Sequence, residues 1–282
     1  KRCIDSILEK TDYTNFSILI IDNGSTETQV VQYLEQLNNT NKVRVVKYDQ
    51  PFNFSAINNF AIGLCDTPIV GLLNNDLEVI STDWLTKMVS NLLRPEIGVV
   101  GAKLYYPNDT IQHAGVILGL GPDGVAGHSH KTFDRNSRGY IGRLCLPQNL
   151  SAVTAACLLV KKEVYTEVGG LDQDNLKVAF NDVDFCLKIR AAGYRVYWEP
   201  DAELYHYESA TRGYEDTPEK KSRFNQEKQF MHQKWGDTLG NDPYYNPNLT
   251  QHHENFSVAW PPRESDRLPT LPAPQSHQRE IV

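Results

Sequence analysis

Pro68-Ile69-Val70-Gly71-Leu72-Leu73-Asn74-Asn75-Asp76 decides how the rest of the chain is read. The apolar run to Leu73 is bounded by Asp66-Thr67 and by a polar triplet, the pattern of a buried strand. A polar cluster at the carboxyl end of such a strand lies at the mouth of an open α/β sheet, where ligands bind. A carboxylate there, flanked by small amides, suits a hard divalent cation that also holds phosphate oxygens. Taken alone, the triplet reads more simply as a turn built from Asn and Asp.

Working outward, the same alternation of elements repeats on both sides. Lys1 to Leu8 reads as helix, and Phe16 to Ile21 as a continuous apolar strand ending in Asp22-Asn23-Gly24-Ser25-Thr26. There Gly24 permits a sharp turn, and Ser25 or Thr26 can cap a helix over 27–37. A strand over 42–48 and a helix over 55–65 lead into the opening stretch. A helix over 83–93 and a strand over 98–104 follow it. Helix and strand in strict alternation predict parallel strands with crossover helices, a Rossmann-like α/β sheet.

Beyond position 105 the texture changes. Residues 106–147 are rich in Gly, His and Asp, the composition of a loop-rich insertion that carries recognition. A strand is predicted over 152–160, helices over 162–168 and 182–192, and two strands over 195–198 and 202–207 separated by Pro200. A charged helix spans 219–235. From about 241 periodicity is lost and prolines accumulate, predicting an extended, disordered tail from 241 to 282 behind a domain of 1–240.

Bulk properties narrow the function. With 282 residues, 40% of them hydrophobic and 22% charged, the chain can bury a large core. A net charge of -7 argues against a nucleic-acid surface. The five cysteines form no C-x-x-C pair, which fits reduced thiols in the cytosol better than disulfides or zinc. No apolar run is long enough to span a bilayer, so a cytoplasmic protein is expected.

Four polar clusters follow strands or open helices: Asp22-Asn23-Gly24-Ser25, Asn74-Asn75-Asp76, Asn181-Asp182-Val183-Asp184, and His206 after Leu204-Tyr205. One such cluster is routine, whereas four on one edge of a sheet read as a site. The segments IDNGSTE (21–27), LLNNDLEVI (72–80), AACLLVKKEVYTEVGGLD (155–172), FNDVDFCLKIRAAGYRVYWEP (180–200) and LYHYES (204–209) together resemble the family 2 glycosyltransferases of GT-A fold. Within that family the chain is similar to bacterial members that build rhamnose-containing or O-antigen-type surface polysaccharides.

The resemblance implies a mostly parallel GT-A sheet flanked by helices, and it implies roles for particular positions. Asp22 would meet the nucleotide base, although a turn acceptor for the Gly24 and Ser25 amides is an equal reading. Asn75 would face the ribose, and Asp76 would ligate Mg²⁺ or Mn²⁺ on the donor diphosphate. Asn74 stands where many relatives have Asp, so the metal site has one carboxylate fewer. Asp182 would be the general base, with Asn181 replacing a Glu. A carboxylate near an acceptor hydroxyl takes its proton as the anomeric carbon is attacked, inverting the anomer. The residue-level alternative makes Asp182 a helix cap, with Asp184 as structural support. His206 would sit beside the metal or diphosphate. His113, His128 and His130 lie in the variable stretch. At i and i+2, His128 and His130 mimic a metal pair, yet no Cys or Glu completes a set, and an acceptor-side or solvated surface is the simpler reading. Trp198 and Tyr205 could stack on a sugar, with core packing the default for strand aromatics.

The expected partners are a nucleotide-diphosphate sugar and a saccharide or lipid-linked saccharide acceptor, reached at the inner face of the membrane within a longer polypeptide. Relatives begin with one further strand, absent before Lys1, without which a central strand would lie unpaired. Two rivals stay open: a sugar nucleotidyltransferase, and a catalytically inactive nucleotide- or sugar-binding module, which the Asn at 74 and 181 favours.

Overall fold

The structure is a computed structural model, and it describes residues 1–208 and 217–261. Ser209 of the quoted LYHYES segment and residues 262–282 of the expected tail lie outside the described residues.

The first half follows the expected alternation: α1 (Arg2–Lys10), β1 (Ile18–Asp22), α2 (Thr28–Asn38), β2 (Val43–Lys47), α3 (Phe54–Gly63) and β3 (Ile69–Leu73). α3 starts one residue earlier than predicted because the Asn53 side chain accepts the Ala56 N–H and caps it. α2 starts at Thr28 with no side-chain cap; the Ser25 N–H instead donates to Asp22 Oδ1. A short strand missed by the sequence reading, β4 (Leu77–Val79), then precedes α4 (Trp84–Leu92) and β5 (Ile97–Tyr105).

The loop-rich stretch is ordered into β6 (Ile111–His113) and a hairpin of β7 (Val116–Leu118) with β8 (Ala126–His128). After β9 (Gln148–Leu150) and β10 (Cys157–Lys161) come α5 (Lys162–Glu167), α6 (Asn181–Ala191), β11 (Arg195–His206) and α7 (Pro218–Leu239). β11 is one strand, not two. Pro200 falls where its register against β5 slips between Glu199 and Glu203, a bulge where a missing N–H is tolerated.

The architecture is the expected α/β one, but its pairing is mixed rather than mostly parallel. The main sheet runs β3-β10-β5-β11-β4. β10 enters antiparallel between β3 and β5 because it arrives from the loop-rich region rather than over a crossover helix. β3, β5 and β11 nevertheless point the same way, so their carboxyl ends and the start of β10 share one edge. β1 pairs with β2, in parallel, and not with β3. The sheet is therefore split between β1 and β3.

Side chains alternate across the main sheet. On β10, Leu158 and Val160 join one core cluster, with Val164, Phe185 and Trp198, while Leu159 joins the other, with Ile7, Trp84 and Met88. α1 and α4 thus cover one face, and α5 and α6 the opposite one. At roughly 25 cal/mol per Å² of apolar surface, these two layers supply most of the folding drive. Residues 241–261, expected to be extended, pack onto the hairpin through Tyr245, Leu249 and Phe256 against Ile117 and Leu120.

Candidate active site

The four clusters of the sequence reading are placed by different elements. Asn74, Asn75 and Asp76 form the turn between β3 and β4. The turn is fixed at both ends: the Asn74 N–H donates to Ala156 O at 2.9 Å, and the Tyr207 N–H to Asp76 O at 2.9 Å. Antiparallel pairing sets His206 opposite Leu77, one residue past Asp76. The missed strand β4 is therefore what carries His206 to Asp76, across 130 residues (206 − 76).

His206 Nε2 lies 3.1 Å from Asp76 Oδ1 and 3.2 Å from Asn74 Nδ2. On the far side of the ring, Nδ1 meets Gln112 Oε1 at 2.6 Å. The Gln112 amide nitrogen donates to His206 O and Glu208 Oε2, so Oε1 accepts and His206 Nδ1 carries a proton. Nε2 is left as the atom that faces the carboxylate. Asp76 Oδ1 is buried and receives no hydrogen bond. Burying an unpartnered carboxylate oxygen is costly. A hard divalent cation beside it would relieve that cost. Asp76 and His206 are two side chains that could hold such an ion; among the described residues, no group of three His, Cys, Asp or Glu gathers that could hold a metal.

Asp182 lies in the first turn of α6, next to a residue in an uncommon backbone state. Phe180, the N-cap, is left-handed at φ 57°, so Asp182 is not itself the cap. Its Oδ2 accepts the Ala155 N–H at 3.1 Å and Oδ1 the Val183 N–H at 2.8 Å, with a further hydrogen bond to the Thr154 side chain. Burial raises its pKa from the ordinary carboxylate value, and those hydrogen bonds pull it partly back. The Thr154–Ala155 segment comes close to β5 because position 101 is glycine: a Cβ there would stand 2.5 Å from Val153 Cβ.

A cavity of about 370 Å³ brings Asp182, Asn181, Asn74 and His206 together, with Glu208 and His128 in its wall. That volume is the size of a small-ligand site. Asp76 joins the group through His206. Asp22 is elsewhere, closing the turn after β1, and Asn75 is exposed on its own turn without lining the cavity. Asp184 is structural: it is fully buried and takes Trp235 Nε1–H at 2.8 Å and Lys234 Nζ at 2.6 Å. Trp198 is core, its indole donating to Ala102 O at 3.2 Å.

His128 and His130 are not a pair. His130 stacks on Phe256 at 4.1 Å and accepts the Tyr140 N–H, whereas His128 meets His113. Sequence reasoning missed Gln112, Thr154 and Glu208. Gln112 on β6 and Thr154 in the loop before β10 act through hydrogen bonds between segments distant in the chain, which leave no local pattern in the sequence.

Comparison with known proteins agrees with this layout. The family model described as glycosyl transferase family 2 matches residues 1–169, and the chain belongs to that family. It is 50% identical over 259 residues to the uncharacterized protein y4gI of Sinorhizobium fredii, covering 92% of this chain and 28% of that one. It is 36% identical over 269 residues to the O-antigen biosynthesis protein RfbC of Myxococcus xanthus, covering 94% and 20% respectively. The chain thus spans about a quarter of the length of these relatives. Among solved structures, GalNAc-T7 with UDP, GalNAc and Mn²⁺ superposes with a TM-score of 0.63 at 12% identity, over 86% of this chain and 46% of that one. The mannosyltransferase PcManGT of Pyrobaculum calidifontis, in complex with GDP-Man and Mn²⁺, gives 0.55 at 17% identity, over 84% and 59%. The fold is the GT-A fold of these glycosyltransferases. Among the described residues, no helix is long and apolar enough to cross a membrane.

Proposed function

We propose that the chain is an inverting, metal-dependent glycosyltransferase domain that moves a sugar from a nucleotide-diphosphate donor to a saccharide or lipid-linked saccharide in cell-surface polysaccharide synthesis. The observation that carries this reading is the convergence of Asp182 and His206 on one cavity, with the Asp76 oxygen that receives no hydrogen bond 3.1 Å from His206 Nε2. Both superposed neighbours were solved with Mn²⁺, one with UDP and one with GDP-Man, which supports a nucleotide-sugar donor. The likeness to an O-antigen biosynthesis protein supports the acceptor class.

Asp182 takes the proton of an acceptor hydroxyl as its oxygen attacks the anomeric carbon. The bond to the diphosphate breaks on the opposite face and carries its electron pair away, inverting the anomer. A raised pKa strengthens a carboxylate as a base. Asp76 and His206 would hold the cation, whose charge would stabilise the departing diphosphate. The Asn74 amide donates toward His206 Nε2. Asp22 keeps Oδ2 for a nucleotide base, since only Oδ1 accepts Ser25 N–H, and the exposed Asn75 is the ribose contact in this reading. The site acts at the cytoplasmic face of the membrane.

Asp182→Asn tests the assignment. Transfer should fall by at least a thousandfold while nucleotide binding stays within about twofold. Preserved transfer would remove Asp182 as the base. A catalytically inactive module would instead show no turnover in the unmutated protein.

A further inference from the structure

We propose that His128 is a sugar-hydroxyl contact, a neutral imidazole whose Nε2–H is left for ligand by a hydrogen-bond chain running through His113 to Thr154. The proposal rests on the glycosyltransferase reading of the cavity and adds a recognition residue to it. The chain of bonds fixes where each proton sits. The Thr154 N–H donates to His113 Nε2 at 3.4 Å, and a backbone N–H can only donate, so that nitrogen carries a lone pair. His113 Nδ1 and His128 Nδ1 are 2.8 Å apart, a contact that needs one proton. That proton belongs to His113, which donates it. His128 Nδ1 therefore accepts, and the remaining proton of His128 is on Nε2.

No described residue takes up that proton. His128 ends β8 in register with Val116, and it lines the cavity with Asp182, Glu208 and Lys131. Burial keeps both imidazoles neutral, His113 well below its usual value and His128 down to about 4. The linkage continues to the base, because Thr154 also hydrogen-bonds the Asp182 carboxylate. Holding an imidazole by its second nitrogen fixes both tautomer and ring orientation.

The chemistry selects the ligand. An anionic diphosphate is matched by a cation, whereas a neutral N–H beside the Glu208 carboxylate matches a hydroxyl. The hydroxyl oxygen accepts from Nε2–H, and its own proton can go to Glu208. The hydroxyl belongs to the donor sugar or to the acceptor.

Calorimetry in Mn²⁺ compares UDP, GDP and dTDP with their hexose-linked forms on the unmutated protein, His128→Phe and His128→Gln. A donor-sugar contact predicts that His128→Phe loses about tenfold on the nucleotide sugar and nothing on the bare nucleotide, with recovery in His128→Gln, whose amide reaches the Nε2 position. An acceptor contact predicts unchanged nucleotide-sugar affinity and about a tenfold weaker methyl-glycoside interaction, read by saturation-transfer NMR. Unchanged behaviour in both arms, or an equal loss on bare nucleotide, overturns the proposal. An unmutated protein that binds no nucleotide sugar fails the glycosyltransferase reading instead. Imidazole ¹⁵N spectra of the unmutated protein then still decide: protonated Nδ1 in His113 and Nε2 in His128 are expected, and the reverse overturns the proposal.

Discussion

Asp76 Oδ1 and His206 Nε2 stand 3.1 Å apart, one on the β3–β4 turn and one at the end of β11, and no hydrogen bond reaches the buried Asp76 oxygen. The ring is aimed from behind by Gln112, whose Oε1 is 2.6 Å from Nδ1. Outer partners of this kind are worth about 10- to 100-fold in metal affinity. Gln112→Leu should therefore weaken Mn²⁺ by about that factor, read by electron paramagnetic resonance titration with a nucleotide diphosphate present. Unchanged Mn²⁺ affinity would show that His206 is not held for a metal.

The opening stretch was legible as a strand and a polar mouth, and so were the helices whose apolar faces repeat. Trp84, Leu85, Met88 and Leu92 are buried on one face of α4, as their spacing indicates. What stayed hidden depends on pairing. β4 is only three residues long, too short for a period, and becomes a strand because β11 lies beside it. Pro200 reads as a break until a bulge accommodates it. The contact between His113 and His128 joins positions 15 apart, and nothing local marks it. Asp182 was found through family likeness; its hold on Ala155 N–H comes from tertiary packing.

Burial pushes the Asp182 pKa up from 3.8. Acting as the base, Asp182 must be ionised, so transfer should fall as pH drops through a value above 3.8. In stability terms, the folded state holds this proton more tightly than the unfolded chain. Ionising Asp182 therefore costs stability as pH rises from 3.8 to its raised value. The pH profile of kcat/KM checks the first point; an acid limb at or below 3.8 would contradict it.

Glu227 on α7 grips the backbone that leads into α6. Its Oε1 takes the Val178 N–H at 2.9 Å and its Oε2 the Ala179 N–H at 3.0 Å, just ahead of left-handed Phe180. Glu227→Ala leaves two N–H groups without these acceptors, at a cost of about 1–3 kcal/mol each when buried. Val178 and Ala179 are half-buried, so urea unfolding should show a total loss of about 1–3 kcal/mol. Transfer should suffer more than nucleotide binding, because the grip positions Asp182 rather than the metal pair.

Thiol chemistry tests the packing independently. Cys145 is exposed, while Cys3, Cys157 and Cys186 are buried, with burial pushing the Cys3 thiol up to about 11 and Cys186 up to about 12. At pH 8 a thiol reagent should modify Cys145 quickly and Cys65 more slowly, and the other three only on unfolding. Rapid labelling of Cys157 in the native protein would contradict the sheet order around β10.

The central claim is that one cavity joins a metal-held diphosphate site to a separate base. Calorimetric titration of UDP, GDP and dTDP, with and without Mn²⁺, into the unmutated protein, Asp76→Asn and Asp182→Asn tests it most directly. The expected result is Mn²⁺-dependent binding of at least one nucleotide, abolished by Asp76→Asn and retained by Asp182→Asn. Equal binding without metal, or binding that survives Asp76→Asn and fails in Asp182→Asn, would contradict it.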